Sequence, residues 1–205
     1  MRKLVLATHN QGKVDEFKRL LAEHAGDVTV LGLADFPDMP DVAETGETLI
    51  ENAFLKSRAI AKFTNLPALA DDSGLFVDYL NGAPGIYSAR FAGYQGLIAS
   101  ERDRLNIEKL LKELENVARP DRKAQFNCAV VFTNLNLDFE AHELGKLSGE
   151  IAEAAIGEAG FGYDSLFIPD GFEQTLAQLG AGVKDRISHR GLAMRAIVPT
   201  LSMHL

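Results

Sequence analysis

The opening of the chain limits its fold more than any other stretch. Lys3 to Ala7 is a short apolar run of the kind that forms a buried strand. Val14, Phe17, Leu20 and Leu21 then recur at helical spacing, with Gly26 as the expected stop. Val28 to Leu31 reads as the next strand. Thr48-Leu49-Ile50-Glu51 has capping-box spacing and predicts a helix running to about Phe63. Leu66 to Ala70 and Leu75 to Leu80 read as strands on either side of Asp71-Asp72-Ser73-Gly74. Ile107, Leu110, Leu111 and Leu114 predict another helix, and Ala124 to Thr133 is the clearest later strand. The glycine-rich stretch Gly157 to Gly162 precedes a short strand at Leu166 to Ile168. Ser188 is placed to cap a last helix, with Leu192, Ala193, Ala196 and Ile197 inward and Pro199 ending it. Alternation at the start, then a strand-rich middle, argues for an α/β fold with a mixed sheet. No repeat, low-complexity tract or linker marks a boundary, so residues 1–205 read as one domain.

Charge narrows the partners. The chain carries 29 acidic against 21 basic residues, a net charge of −8. That disfavours general nucleic-acid binding, which needs a basic field to displace phosphate counterions. Hydrophobic residues make up 46%, far above a disordered chain. The single cysteine, Cys128, excludes an internal disulfide or a cysteine-rich zinc site and reads as a small core residue. No apolar run is long enough to span a bilayer, and Leu4 to Ala7 is too short for a signal-peptide core. A cytoplasmic protein without a membrane partner is therefore expected. A partner as acidic as a nucleotide would need a local basic pocket and a divalent metal.

Several segments could supply them. Ala7-Thr8-His9-Asn10-Gln11-Gly12-Lys13-Val14 joins the first strand to the first helix and narrowly misses the P-loop pattern, with Ala7 and Val14 at two of its defining positions. A helix N-terminus still attracts an anion, and Asn10 and Lys13 add an amide and a charge. The alternative is an ordinary connection with Lys13 in solvent. Asp71-Asp72 can bind Mg²⁺ through one carboxylate and orient water with the other, with Glu44 as a candidate second ligand. Equally, Asp-Ser-Gly favours a turn between strands. Lys56 falls on or beside the apolar face of its helix, where it either reaches a phosphate or snorkels to the rim. Phe161-Gly162-Tyr163-Asp164 orders aromatic, glycine, aromatic and acid, which suits a purine pocket or a packed strand end. Lys184 and Ser188-His189-Arg190 provide further cations at a helix start.

Taken together, these segments resemble the non-canonical purine nucleoside triphosphate pyrophosphatase family, also called inosine or xanthosine triphosphate pyrophosphatases. The matching pieces begin with Leu6-Ala7-Thr8, Asn10 and Lys13, then Glu44-Thr45-Gly46 and Glu51-Asn52-Ala53 with Lys56. Ala70-Asp71-Asp72-Ser73-Gly74-Leu75 and Gly82-Ala83-Pro84-Gly85-Ile86-Tyr87-Ser88-Ala89-Arg90 follow. Gly160-Phe161-Gly162-Tyr163-Asp164, Lys184 and Ile187-Ser188-His189-Arg190 complete the set, which covers nearly the whole chain.

The resemblance implies an elongated mixed β-sheet flanked by helices, two lobes around a central substrate cleft, and a homodimer. It implies Mg²⁺-dependent cleavage of deaminated purine nucleoside triphosphates to the monophosphate and pyrophosphate. Thr8 and the loop residues His9, Asn10, Gln11, Gly12 and Lys13, with Lys56, Lys184 and Arg190, would hold the substrate's triphosphate. Glu44 and Asp72 would bind Mg²⁺, and Asp72 would accept the proton of water. Ser73, Phe161, Gly162, Tyr163, Asp164 and His189 would contact nucleoside or base.

Phosphoryl transfer is mostly positioning and charge neutralisation, which suits such a set. A 6-oxo purine needs an edge matched to its oxygen and ring N–H, and backbone N–H groups near Phe161 to Asp164 and His189 could supply it. The sequence departs from the family pattern at His9, at Ala43, at Ser165, and at Gly180-Ala181-Gly182-Val183, which reads as a flexible loop. A non-catalytic nucleotide-binding regulator and a pyrophosphatase for other modified nucleotides are the competing readings.

Overall fold

The computed structural model describes residues 2–8, 10–24, 28–93 and 98–205. In chain order these form β1 (Arg2–Leu6), α1 (Gln11–His24), β2 (Val28–Leu31), α2 (Leu49–Thr64), β3 (Ala68–Val77) and β4 (Pro84–Gly85). Then come α3 (Ala99–Glu113), β5 (Lys123–Asn134), β6 (Phe139–Ile151), β7 (Phe167–Pro169), α4 (Ala181–Ile187) and α5 (His189–His204). The strands pair in the order β2-β1-β3-β5-β6-β7, with β4 joined to β3 off this path. β1 runs parallel to β2 and β3, whereas β4 is antiparallel to β3 and β7 to β6, so the sheet is mixed. No helix among the described residues is long and apolar enough to cross a membrane. The expected stop at Gly26 lies outside the described residues.

The chain divides into two compact units. The first comprises Met1–Asp72, Cys128–Gly145 and His189–Leu205; the second comprises Ser73–Asn127 and Lys146–Ser188. In the first unit β1 is buried on both faces, which explains its unbroken apolar run. Leu4 and Leu6 pack with Phe17 and Leu20 of α1, Val130 and Phe132 of β5, and Met194 and Ile197 of α5. Val5 packs on the other side with Ala68 and Ala70 of β3 and Ile60 and Ala61 of α2. In the second unit Leu75 and Val77 join Leu110 of α3, Leu114 just beyond it, Phe126, Ile151 and Phe167. Arg122 is buried there, its guanidinium donating to the carbonyls of Leu114, Ile151 and Ala152 at 2.8 Å each.

Four local expectations change. Asp71 to Gly74 lies inside a continuous β3 rather than in a turn, because pairing at Leu69 with β1 and at Leu75 with β4 keeps both ends extended. Gly180 to Val183 is not a loop; Gly180 precedes α4, and its carbonyl accepts the Lys184 N–H at 3.1 Å. α5 turns inward through Arg190, Ala193, Met194, Ile197 and Leu201, while Leu192 and Ala196 are exposed. Pro199 does not end α5: buried Leu201 anchors the turn beyond it, and Asn134 Nδ2 donates to the His204 carbonyl at 2.8 Å.

β6 is absent from the sequence-based element list, and the reason is steric. Its burial alternates as in any half-buried strand, but glycines occupy two inward positions, Gly145 and Gly149. A Cβ at Gly145 would collide with the His189 carbonyl oxygen and lie 2.6 Å from the Ala193 nitrogen. One at Gly149 would lie 2.8 Å from two carbons of the Phe167 ring. Close backbone approach thus removes the apolar side chains that would have marked the strand. Gly145→Ala is expected to lower stability by about 1–3 kcal/mol, the usual cost of overpacking. The urea midpoint should fall, whereas Lys146→Ala, at an exposed neighbour, should leave it unchanged.

Candidate active site

Because β3 is extended, its pleat sends Asp71 and Asp72 to opposite faces. Asp71 meets α1 and α5. Its Oδ2 lies 2.8 Å from Lys13 Nζ and accepts from Arg190 Nε at 3.2 Å, and Cys128 Sγ is 4.0 Å away. Arg190 Nη1 donates to Glu16. Arg190, expected on the triphosphate, is thus only 2% exposed, and Asp71 is at 0%. Two cations and two anions balance in this set. Burial pushes the Asp71 carboxyl upward, but Lys13 and Arg190 outweigh it and hold the group well below the usual carboxylate range. Burial likewise opposes the charge of Arg190, and Glu16 and Asp71 more than restore it.

Asp72 faces α2. Its Oδ1 takes a hydrogen bond from Lys56 Nζ at 3.3 Å, and its Oδ2 takes one from Asn52 Nδ2 at 3.2 Å. Lys56 Nζ also donates to Glu44 Oε1 at 2.9 Å. Lys56 therefore leans inward, its side chain 14% exposed, rather than snorkelling away. α2 is set by Thr48, whose Oγ1 accepts the Glu51 N–H at 3.1 Å, while the Glu51 carboxylate takes the Glu47 N–H at 2.7 Å. Burial pushes Asp72 up, more than Lys56 and Lys13 pull it down. Burial pulls Lys56 down, yet Asp72, Asp71 and Glu44 outweigh it and the ammonium ends above its ordinary value.

Two carboxylates, of Glu44 and Asp72, meet here on the Lys56 ammonium. Their hard oxygens converge on one cationic point and fit Mg²⁺, an ion commonly held by one or two carboxylates together with waters and substrate phosphates. No cluster of three or more His, Cys, Asp or Glu side chains suited to a metal occurs among the described residues.

The loop before α1 is not a P-loop, since Ala7 and Val14 stand at the first-glycine and hydroxyl positions of that pattern; Gly12 and Lys13 lie within the helix. Thr8 Oγ1 accepts the Asn10 N–H at 3.2 Å, and Asn10 Oδ1 accepts the Lys13 N–H at 3.2 Å, which caps the first turn. Gln11 Nε2 is engaged by Asp15 at 2.8 Å. Lys13 itself is paired with Asp71 rather than left in solvent. His9 lies outside the described residues.

In the second unit, Phe161 to Asp164 is a tight turn folded by its own acid. Asp164 Oδ2 accepts the Phe161 N–H at 2.9 Å and Lys184 Nζ at 2.7 Å. Lys184, expected at the triphosphate, also stands 5.0 Å from the centre of the Phe161 ring. Asp103 of α3 accepts the Gly162 N–H at 2.7 Å, and the Tyr163 hydroxyl donates to the Ser88 carbonyl at 2.9 Å. The Asp164 N–H reaches the Phe161 carbonyl at 3.3 Å. The N–H groups of Phe161, Gly162 and Asp164, expected to read a base edge, are therefore engaged within the protein. Ser73 is half-buried on β3, and His189 is buried at the start of α5.

Sequence reasoning assigned no role to Glu16, Asn52 or Asp103. Glu16 adjoins Phe17 on the inward side of α1, the one signal that could have marked it. Asn52 and Asp103 act on partners distant in the chain and leave no periodic trace.

This fold and charge arrangement define an α/β protein with a mixed sheet and a candidate site where two carboxylates meet a lysine. The chain belongs to the Ham1 family, whose model matches residues 4–200. It is 45% identical to the dITP/XTP pyrophosphatase of Streptomyces coelicolor over 98% of each chain, and 42% identical to that of Bacillus subtilis over 96% of each. The solved Ham1 protein of Staphylococcus aureus superposes with a TM-score of 0.83 at 43% identity over 100% of both chains. That of Coxiella burnetii gives 0.85 at 38% identity, covering 99% of this chain and 100% of its own.

The neighbouring acids should respond unequally to neutralisation. Asp71→Asn leaves Lys13 and Arg190 without their shared anion and is expected to cost about 3–5 kcal/mol at neutral pH, as for other broken buried pairs. Asp72→Asn removes a charge that burial disfavours and should cost far less. Folding depresses Asp71 below its unfolded value of about 3.9, so its contribution holds above that pH and is lost on acidification. Urea midpoints at neutral and acid pH should therefore show the Asp71→Asn deficit shrinking as pH falls.

Proposed function

We propose that this protein hydrolyses non-canonical purine nucleoside triphosphates such as dITP, XTP and ITP to the nucleoside monophosphate and pyrophosphate, clearing deaminated purines from the nucleotide pool. The observation that carries this reading is the meeting of Glu44 and Asp72 on one cation, Lys56 Nζ. Relatives named dITP/XTP pyrophosphatase over nearly the full chain supply the substrate class.

In this reading Glu44 and Asp72 hold Mg²⁺, which when bound neutralises phosphate charge. The N-terminal turn of α1, with Lys13 and Lys56, takes the triphosphate, and Thr8 and Asn10 keep that turn in place. Arg190 works from behind, holding Asp71 beside Lys13. Asp72 accepts the proton of the attacking water; a carboxylate has lone pairs beyond those used by Lys56 and Asn52.

The base falls to Phe161, whose ring offers a stacking face, and to Lys184. An ammonium donor suits the 6-oxo group of a deaminated purine, whereas the 6-amino group of adenine would set donor against donor. Ser73 and His189 complete the nucleoside contacts. The whole chain acts as one nucleotide-handling domain, as a cytoplasmic homodimer, the state that the resemblance implies.

Chromatography of products from inosine, xanthosine, adenosine and guanosine triphosphates with Mg²⁺ is the direct test. The first two should release pyrophosphate fastest. Orthophosphate instead, or faster cleavage of adenosine triphosphate, would sink the proposal. Chelation should stop turnover and added Mg²⁺ restore it. Asp72→Asn should abolish turnover while calorimetry still registers binding of a non-hydrolysable inosine analogue.

A further inference from the structure

Asn52 is fully buried in the first turns of α2. Its Oδ1 accepts the Gly46 N–H at 2.8 Å, and its Nδ2 donates to Asp72 Oδ2 at 3.2 Å. Chemistry fixes the direction of the amide, because a backbone N–H only donates and an ionised carboxylate only accepts. Each end of one side chain therefore holds a different part of the candidate cation site.

Residues 41–46, which carry Glu44, have no regular secondary structure. A segment of that kind needs a tertiary anchor to present a ligand reproducibly, and the Gly46 N–H provides one two residues beyond Glu44. The seat is close-fitting: a Cβ on Gly46 would lie 2.7 Å from Glu51 Cβ and 2.9 Å from Asn52 Oδ1. At the other end, the bond to Oδ2 fixes the rotation of the Asp72 carboxylate and leaves Oδ1 toward Lys56 and, through it, Glu44.

We propose that Asn52 is a positioning residue for the cation, locking the Glu44 segment to Asp72 so that both carboxylates present to one ion. This rests on the reading that Glu44 and Asp72 hold Mg²⁺. Asn52 sits behind the ligands and touches neither substrate nor ion. Losing such an outer partner typically costs about 10–100-fold in metal affinity.

The test separates ion from nucleotide. Mn²⁺ binding to the full-length protein with a non-hydrolysable inosine triphosphate analogue is followed by electron paramagnetic resonance, and analogue binding without metal by calorimetry. Asn52→Leu, similar in shape and apolar, should weaken Mn²⁺ by about 10–100-fold while metal-free analogue binding is retained. Gly46→Ala, which lifts the segment without altering either carboxylate, should do the same and carries the test if Asn52→Leu does not fold. Unchanged Mn²⁺ affinity, or equal losses for ion and nucleotide, would overturn the role of Asn52. Failure of the unmodified protein to bind Mn²⁺ would instead overturn the metal assignment beneath it.

Discussion

The first unit depends on one buried anion. Asp71 is enclosed in a strand and would be expelled or protonated if it stood alone, since isolated charge is strongly disfavoured in an apolar interior. Lys13 and Arg190 make its burial tolerable, and Glu16 does the same for Arg190. These partners come from α1, β3 and α5, so a single charge requirement ties both helices to the strand. Apolar packing of Leu4, Phe17, Val130 and Ile197 supplies the bulk of the core around it but is indifferent to small slips. The charge set is not, because a misplaced guanidinium would leave a carboxylate unpaired.

That arrangement assigns different work to two adjacent acids. Asp71 is held by Lys13 and Arg190 within the structure, whereas Asp72 meets Lys56 and Asn52 on the opposite face of β3. There the carboxylates of Glu44 and Asp72 meet on one ammonium, and burial raises the affinity of Asp72 for a proton. The hydrogen bonds of Asn52 tie a segment without secondary structure to Asp72.

Much of the site could be read from residue types and spacing. The strand–loop–helix start, the acid pair, the lysine on or beside the apolar face of α2 and the aromatic–glycine segment all stood out as candidates for chemistry. Less of their wiring could be read. The resemblance puts Arg190 on the triphosphate, yet Glu16 and Asp71 draw it into the core. Backbone donors at Phe161 and Gly162 looked available for a base, yet Asp164 and Asp103 occupy them. β6 escaped notice because Gly145 and Gly149 stand where apolar side chains would have revealed its period.

By itself the sequence determined the α/β class, the placement of β1, α1, β2, α2 and β5, and the order of the motifs that carry the resemblance. These depend on short-range periodicity and on local chemistry, which a linear chain displays. The tertiary structure alone decided that Asp71 and Asp72 lie in one strand rather than a turn, and therefore on opposite faces with opposite charge environments. It also decided which cation serves which carboxylate. Both outcomes depend on strand pairing and burial, properties set by residues far apart in the chain, and no local pattern encodes them.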